Sequence, residues 1–332
     1  MSFDMVVGLT GGLGLFIYGM KQMSEGLQKT AGKRLRHILA FLTKNTFSGV
    51  LVGTGVTSIV QSSSATTVMV VGFVNAGLMT LYQSIGVIMG ANIGTTVTAQ
   101  LISFDLGDYA FHAITIGAIA YLFSNKKKYQ YFGQVILGFG ILFLGLNIMS
   151  ETMHPLRDSQ YIVELMKNFG TYPILGVLAG LVITVMVQSS TATFGILVGL
   201  VSVGVIDFSS GVPILLGSNI GTTVTAILSA IGASKTAKKS AAAHFIFNIL
   251  GTSIMIFLIY VVPDFSGQLK GLLSGISRVT NNTVSAERLL ANTHTLFNVT
   301  NTLIWMPFVG FMVQVVNKII PGEETSIERG LV

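Results

Sequence analysis

The sequence predicts an all-α membrane protein: two inverted-topology repeats with re-entrant hairpins or broken helices meeting at the bilayer midplane, plus a C-terminal helix. Three observations predict it. Of 332 residues, 51% are hydrophobic and only 10% charged, with mean hydropathy +0.73, against about 25% charged residues in soluble domains. Three sequence blocks recur in the same order at a nearly constant offset. Basic residues sit in short loops on opposite sides of the two copies, as positive-inside topology requires of inverted repeats.

The duplication is explicit. Gly14-Leu15-Phe16 through Glu25 returns as Gly140-Ile141-Leu142 through Glu151, an offset of 126. Residues 49–67 and 176–194 are identical at 11 of 19 positions with offset 127, and 90–98 matches 217–225 at 8 of 9. Residues 1–128 and 129–265 therefore read as the two repeats, and 266–332 as an amphipathic segment, a transmembrane helix and a short tail. After the first helix come Lys29, Lys33, Arg34, Arg36 and Lys44, without an acid, whereas the counterpart has Arg157, Asp158, Glu164 and Lys167. The mid-unit loop of the first copy holds Asp105 and Asp108, that of the second Lys235, Lys238 and Lys239, and Lys126-Lys127-Lys128 joins the units.

Spanning helices are expected at 5–24, 81–102, 109–124, 130–152, 212–232, 240–261 and 296–318, each about 20 residues long as a bilayer requires. Segments 47–77 and 174–205 carry polar residues at mid-length. Re-entrant hairpins keep the charge parity consistent, because they add no crossing; broken spanning helices are the alternative. Residues 30–44 and 160–170 read as interfacial amphipathic pieces. The 38 glycines and 6 prolines suit close helix packing. The first apolar run lacks the basic and small-residue signature of a cleavable signal. Zero cysteines exclude disulfides, thiol nucleophiles and thiolate metal sites.

The polar blocks carry the chemistry: Gln61-Ser62-Ser63-Ser64-Ala65-Thr66 and Gln188-Ser189-Ser190-Thr191-Ala192-Thr193. Irregular backbone at membrane depth must face protein or a water-filled cavity. A helix restarting after Ser62 or Ser189 offers free N–H groups and a positive dipole end, an anion site, with Ser and Thr as natural N-caps. Two such termini would clamp one small anion from opposite sides. The expectation is that no Lys or Arg stands in the centre of any spanning segment. Bound alkali cations would then offset the anion's desolvation, with Gln, Asn, Ser and Thr oxygens as hard ligands. The bland reading is that the hydroxyls glue helices together. The blocks at Asn92-Ile93-Gly94-Thr95-Thr96 and Asn219-Ile220-Gly221-Thr222-Thr223 read as second contributors, or as tight helix crossings. His-x-x-Phe-Asn at His244…Asn248 and His294…Asn298, with an echo at His112, reads first as packing. Glu25 and Glu151 read as interfacial acids.

Together, the twin Gln-Ser-Ser blocks, the Asn-Ile-Gly-Thr-Thr blocks and Ala241-x-x-His244-x-x-Phe247-Asn248 resemble the type II sodium/phosphate cotransporters over roughly residues 5–310. The resemblance implies symport of Na⁺ with inorganic phosphate. Carried onto this sequence, phosphate falls to Gln61, Ser62, Ser63, Ser64, Gln188, Ser189, Ser190 and Thr191. Sodium falls to Gln61, Ser64, Thr66, Asn92, Thr95, Gln188, Thr191, Thr193, Asn219 and Thr222. No cofactor is expected beyond Na⁺ as coupling ion. Two departures from the family stand out: the large loop between the repeats of animal members is missing, and the chain ends soon after its last helix, without the soluble helical domain of many bacterial members.

The expectation is thus a multi-pass carrier of the cell (inner) membrane that imports phosphate by alternating access, with phosphate, Na⁺ and lipid as partners, compatible with a homodimer and not with nucleic acid. The alternative is a Na⁺-coupled carrier of another oxyanion, sulfate or a dicarboxylate. An enzyme using Ser62–Ser64 as nucleophile is disfavoured, because no acid orients a His and a duplicated nucleophile has no catalytic purpose. A passive channel or scaffold would show no saturable, Na⁺-driven flux.

Overall fold

The structure, a computed structural model, describes residues 3–31, 38–39, 43, 45–104, 106–279 and 284–322. Lys33, Arg34, Arg36, Lys44, Asp105 and most of the interfacial piece at 30–44 lie outside them. The described chain is helical: α1 (Phe3–Ala31), α2 (Thr46–Val60), α3 (Ser63–Asn75), α4 (Leu81–Ile102), α5 (Ala110–Phe123), α6 (Lys127–Met153), α7 (Gln160–Thr171), α8 (Pro173–Val187), α9 (Ser190–Ser202), α10 (Phe208–Ser229), α11 (Lys235–Val261), α12 (Phe265–Val279), α13 (Ala286–Trp305) and α14 (Val309–Ile319). Six spans among the described residues are long and apolar enough to cross a membrane: α1, α4, α6 with its 3₁₀ extension, α10, α11, and α13 with α14. Phe111, Phe123, Met186 and Phe257 are among many large apolar side chains left on the outer surface, as lipid-facing helices require.

Two expected spans need correction. The helix at 109–124 is only the 14 residues of α5, about 21 Å at 1.5 Å per residue, short of the ~30 Å hydrocarbon core. The single helix at 296–318 instead starts at Ala286, capped by Ser285 accepting from the Arg288 amide at 3.2 Å. It resets in a 3₁₀ turn at Met306–Phe308. Pro307 explains the reset, because proline donates no hydrogen bond and crowds the preceding turn. The early start was masked by Thr293 and His294, polar residues that are buried rather than interfacial. The amphipathic piece at 160–170 appears as α7, which buries no residue and meets α8 at 107°.

Glycine contacts give the helix directions. Cβ atoms added to Gly12, Gly19 and Gly26 of α1 would strike Gly145/Met149, Gly138/Leu142 and Tyr131/Val135 of α6. Rising numbers in α1 meet falling numbers in α6, so these repeat-equivalent helices run antiparallel. In contrast, Gly49 faces Gly86 and Val87, Gly90 faces Val50 and Thr54, and Gly94 faces Thr54 and Thr57. Thus α2 and α4 are parallel. Because α3 starts beside Gln61, bonded to Thr98 near the end of α4, and leads into Leu81 at its start, α3 returns antiparallel. The chain reverses at Gln61–Ser62, a hairpin. Copy two repeats this: Gly176 meets Pro213, Gly180 meets Ile214, and Gly221 meets Thr184.

Helices α11 and α13 extend the likeness between the halves. Ser240 of α11 donates to Ser84 of α4 at 2.9 Å. At the position equivalent to Ser84, Gly211 of α10, the neighbour is Leu290 of α13. Helix α13 therefore stands to α10 as α11 stands to α4, and His294 corresponds to His244.

A methyl group at Gly90 would overlap the Val50 carbonyl, whereas one at Gly55 meets nothing within 4 Å. Gly90→Ala should cost about 1–3 kcal/mol by overpacking and lower the melting temperature of the detergent-solubilised protein, while Gly55→Ala should leave it unchanged or raise it. Equal melting of the two would contradict the packing described.

Candidate functional site

Each polar block forms the tip of a hairpin. Gln61 adopts φ 58°, ψ 25° and Gln188 φ 57°, ψ 25°, left-handed conformations that cost a non-glycine residue about 1–2 kcal/mol. The same hydrogen bonds hold both. The Gln61 amide N–H donates to Thr57 O and the Gln188 N–H to Thr184 O, each at 2.7 Å. The Gln61 side chain donates to Ser58 O, and that of Gln188 to Val185 O at 2.7 Å. Thr98 Oγ1 donates to Gln61 Oε1 at 2.5 Å and Thr225 Oγ1 to Gln188 Oε1 at 3.2 Å. At about 0.5–1.5 kcal/mol per bond, three bonds outweigh the backbone cost.

Past the turn, Ser62 and Ser189 become N-caps whose hydroxyls accept from the Ala65 and Ala192 amides, both at 3.1 Å. Across each turn, Thr57 Oγ1 meets Thr66 Oγ1 at 3.0 Å and Thr184 Oγ1 meets Thr193 Oγ1 at 2.8 Å. The first-turn amides of Ser63, Ser64, Ser190 and Thr191 are left at the open helix ends, as every helix leaves them.

Both tips line one cavity of about 170 Å³, walled by Gln61, Ser62, Ser63 and Ser64 on one side and Gln188, Ser189, Ser190 and Thr191 on the other. The eight residues predicted for the anion are thus brought together. Of those predicted for the cation, Gln61, Ser64, Gln188 and Thr191 line the cavity. Thr66 and Thr193 stand behind it in the threonine pairs. Asn92 donates to Ile88 O at 2.8 Å, Thr95 to Ala91 O at 3.1 Å, and Thr222 to Ser218 O at 3.0 Å. Asn219 Oδ1 lies 3.0 Å from His294 Nε2, whose ring stacks on Phe194 with centroids 6.1 Å apart.

Sequence reasoning missed Thr98, Thr225 and the third wall of the cavity, formed by Met20, Lys21 and Ser24 of α1. Thr98 and Thr225 carried a signal: they belong to the longest identical block between the copies. Lys21, whose side chain is exposed, brings a basic group to the cavity wall that the sequence reading did not place there. Glu25 instead pairs with Lys29 at 3.4 Å, with both side chains partly exposed, a pairing worth about 0–1 kcal/mol.

The two tips differ in enclosure. Gln61 is 6% exposed, whereas Gln188 is exposed. A contact from α1 explains the first: Ser24 Oγ donates to Val60 O, the last carbonyl of α2, at 2.6 Å, and Gln28 adds a bond at 3.4 Å. The equivalent Ser150 bonds Ser202 at 3.2 Å instead, which leaves the end of α8 uncovered. The His–Asn pair differs too: His294 reaches Asn219, while both ring nitrogens of His244 are buried without a partner.

A model of the Na⁺/Pi-cotransporter family matches residues 15–151 and 158–280. Protein YqeW of Bacillus subtilis is 27% identical over 96% of this chain and 99% of its own length. YjbB of Escherichia coli, whose name proposes inorganic phosphate export, is 25% identical over 95% of this chain. This chain spans 56% of that protein. Sodium-dependent phosphate transport protein 2A of Rattus norvegicus is 37% identical over 27% of this chain and 15% of its own. No solved structure matches.

Because the chain contains no native cysteine, labelling reads enclosure directly. Gln188→Cys should react with a membrane-impermeant maleimide at least about tenfold faster than Gln61→Cys in the unliganded protein, measured by gel shift, in line with the protection that burial gives a thiol. Equal rates would contradict the asymmetry.

Proposed function

Since this chain belongs to the Na⁺/Pi-cotransporter family, we propose that it is a sodium-coupled symporter importing inorganic phosphate across the cell (inner) membrane by alternating access. The observation that carries the reading is the shared cavity, into which two helix N-termini and their hydroxyls converge. A tetrahedral oxyanion suits that donor set: the Ser63, Ser64, Ser190 and Thr191 amides and the Ser63 and Ser190 hydroxyls bind it, and the Ser62 and Ser189 hydroxyls, which accept as N-caps, each keep an O–H to donate. Sodium sits beside the anion on the Gln61, Ser64, Gln188 and Thr191 oxygens, with the Asn92, Thr95, Thr66, Asn219, Thr222 and Thr193 layer behind them. It offsets charge that neutral donors bind at a cost.

The antiparallel α1 and α6 support an inverted relation between the repeats, with the hairpin tips meeting inside the bilayer. Inverted halves in unlike states are what alternating access requires: one tip enclosed, one open, and the two environments exchanged in each cycle. Coupling fixes the ratio of ions, not the sign of flux. Import therefore follows from an inward Na⁺ gradient, and the export suggested by the Escherichia coli relative's name would follow from opposed gradients in the same carrier.

The test is ³²P-phosphate uptake into proteoliposomes under an inward Na⁺ gradient against an equal K⁺ gradient. Concentrative uptake is expected only with Na⁺. Ser63→Ala with Ser190→Ala removes two hydrogen bonds to a charged ligand at about 1.5–3 kcal/mol each and should weaken uptake at least about a hundredfold, with the melting temperature retained. Normal KM in the double variant would sink the clamp, and uptake of sulfate or dicarboxylates in place of phosphate would sink the substrate.

A further inference from the structure

Helix α1 brings a charge to the cavity that neither hairpin supplies. Lys21 is the nineteenth of its 29 residues, about 27 Å from one end and about 15 Å from the other at 1.5 Å per residue. Its side chain is exposed rather than packed in the core, and an ionisable group on a spanning helix faces water or a ligand rather than lipid. Lys21 lines the cavity between the tips, flanked by Met20 and Ser24 on the same wall. Among the described residues it is the only charged one lining the cavity, and none of their carboxylates lies within 4 Å of its ammonium.

The duplication isolates this lysine further. Its counterpart at offset 126 is Asn147, whose amide packs against Gly107 and does not line the cavity. The donors of the two tips come in matched pairs; Lys21 has no match. A pair of half-sites needs no such residue for symmetry, and the packing of α1 on α6 runs through Gly12, Gly19 and Gly26 without it.

We propose that Lys21 is an anion-binding residue of the transport site, a fixed cation that neutralises one negative charge of the bound phosphate and so replaces one cation that would otherwise have to be co-bound. The inference rests on the phosphate-carrier reading above. Phosphate affinity then depends on the charge at position 21, and loss of that charge shifts the burden to Na⁺: binding weakens, and more Na⁺ is needed to restore it. A lysine that merely extends toward the membrane surface would alter neither.

The absence of native cysteine allows the charge to be removed and returned on one preparation. Lys21→Cys is reconstituted and treated with either methyl methanethiosulfonate, which leaves a neutral side chain, or aminoethyl methanethiosulfonate, which restores an ammonium. Phosphate KM and the Na⁺ concentration for half-maximal uptake are then measured. Loss of a charge-assisted contact should raise the phosphate KM of the neutral adduct about ten- to a hundredfold and increase its Na⁺ requirement. The ammonium adduct should return within about threefold of the unmodified wild type, well below one tenfold step. Both adducts share one fold, so misfolding cannot produce the difference, and Lys21→Arg against Lys21→Gln repeats the comparison without reagents. Identical KM and Na⁺ dependence in the two adducts would overturn the inference while leaving the carrier reading intact. No phosphate uptake by the wild type would overturn both.

Discussion

Inside a bilayer no water is at hand to satisfy an open peptide group, and this chain opens its helices twice. Each break must account for its own carbonyls and amides before it can offer any to a ligand. The left-handed glutamine does most of this. Its backbone turns the chain, its amide nitrogen returns to the preceding turn at Ser58 or Val185, and its side-chain carbonyl is held by a threonine four residues from the end of α4 or α10. The serine after it caps the new helix. The first-turn amides are left open beside the cavity. Helix directions, glycine contacts and the threonine pairs all serve to hold those two openings in place.

The copies share a plan and differ in state. Equivalent residues make equivalent bonds within each hairpin to within a few tenths of an ångström, apart from the longer Thr225–Gln188 contact. Differences appear where a hairpin meets its surroundings: Ser24 covers α2, Ser150 does not cover α8, His294 engages Asn219, and His244 engages nothing. A hairpin is therefore an internally fixed unit, and variation is confined to its outer contacts.

Much of this was legible in the sequence because duplication writes each feature twice. Gln61 and Gln188 could be placed at breaks, and Ser62 and Ser189 at helix starts, from composition and capping chemistry alone. The long helices followed from apolar length. Other parts were not legible. The early start of α13 was one, since the burial of His294 depends on a partner from another helix, Asn219 of α10. Lys21 was passed over because it falls near the expected end of a helix at 24, and its place on the cavity wall depends on how α1 lies beside the two hairpin tips. Thr98 belonged to a block already recognised, but its bond to Gln61 depends on the parallel pairing of α2 and α4, which no local pattern encodes.

That parallel pairing has a mechanical consequence. Helices α2 and α4, like α8 and α10, touch backbone to backbone through glycine, and α1 is joined to α6 in the same manner. Contacts of this kind are stiff, because no side chain lies between the helices to rotate and absorb displacement. Between α1 and the first hairpin the hydrogen bonds are instead those of Ser24 and Gln28, two side chains able to change rotamer. The molecule is thus a set of stiff bodies separated by a compliant seam, and that seam runs along the cavity wall. Ligand and seam share the same residues, so whatever occupies the cavity acts directly on the surface where the bodies can slip.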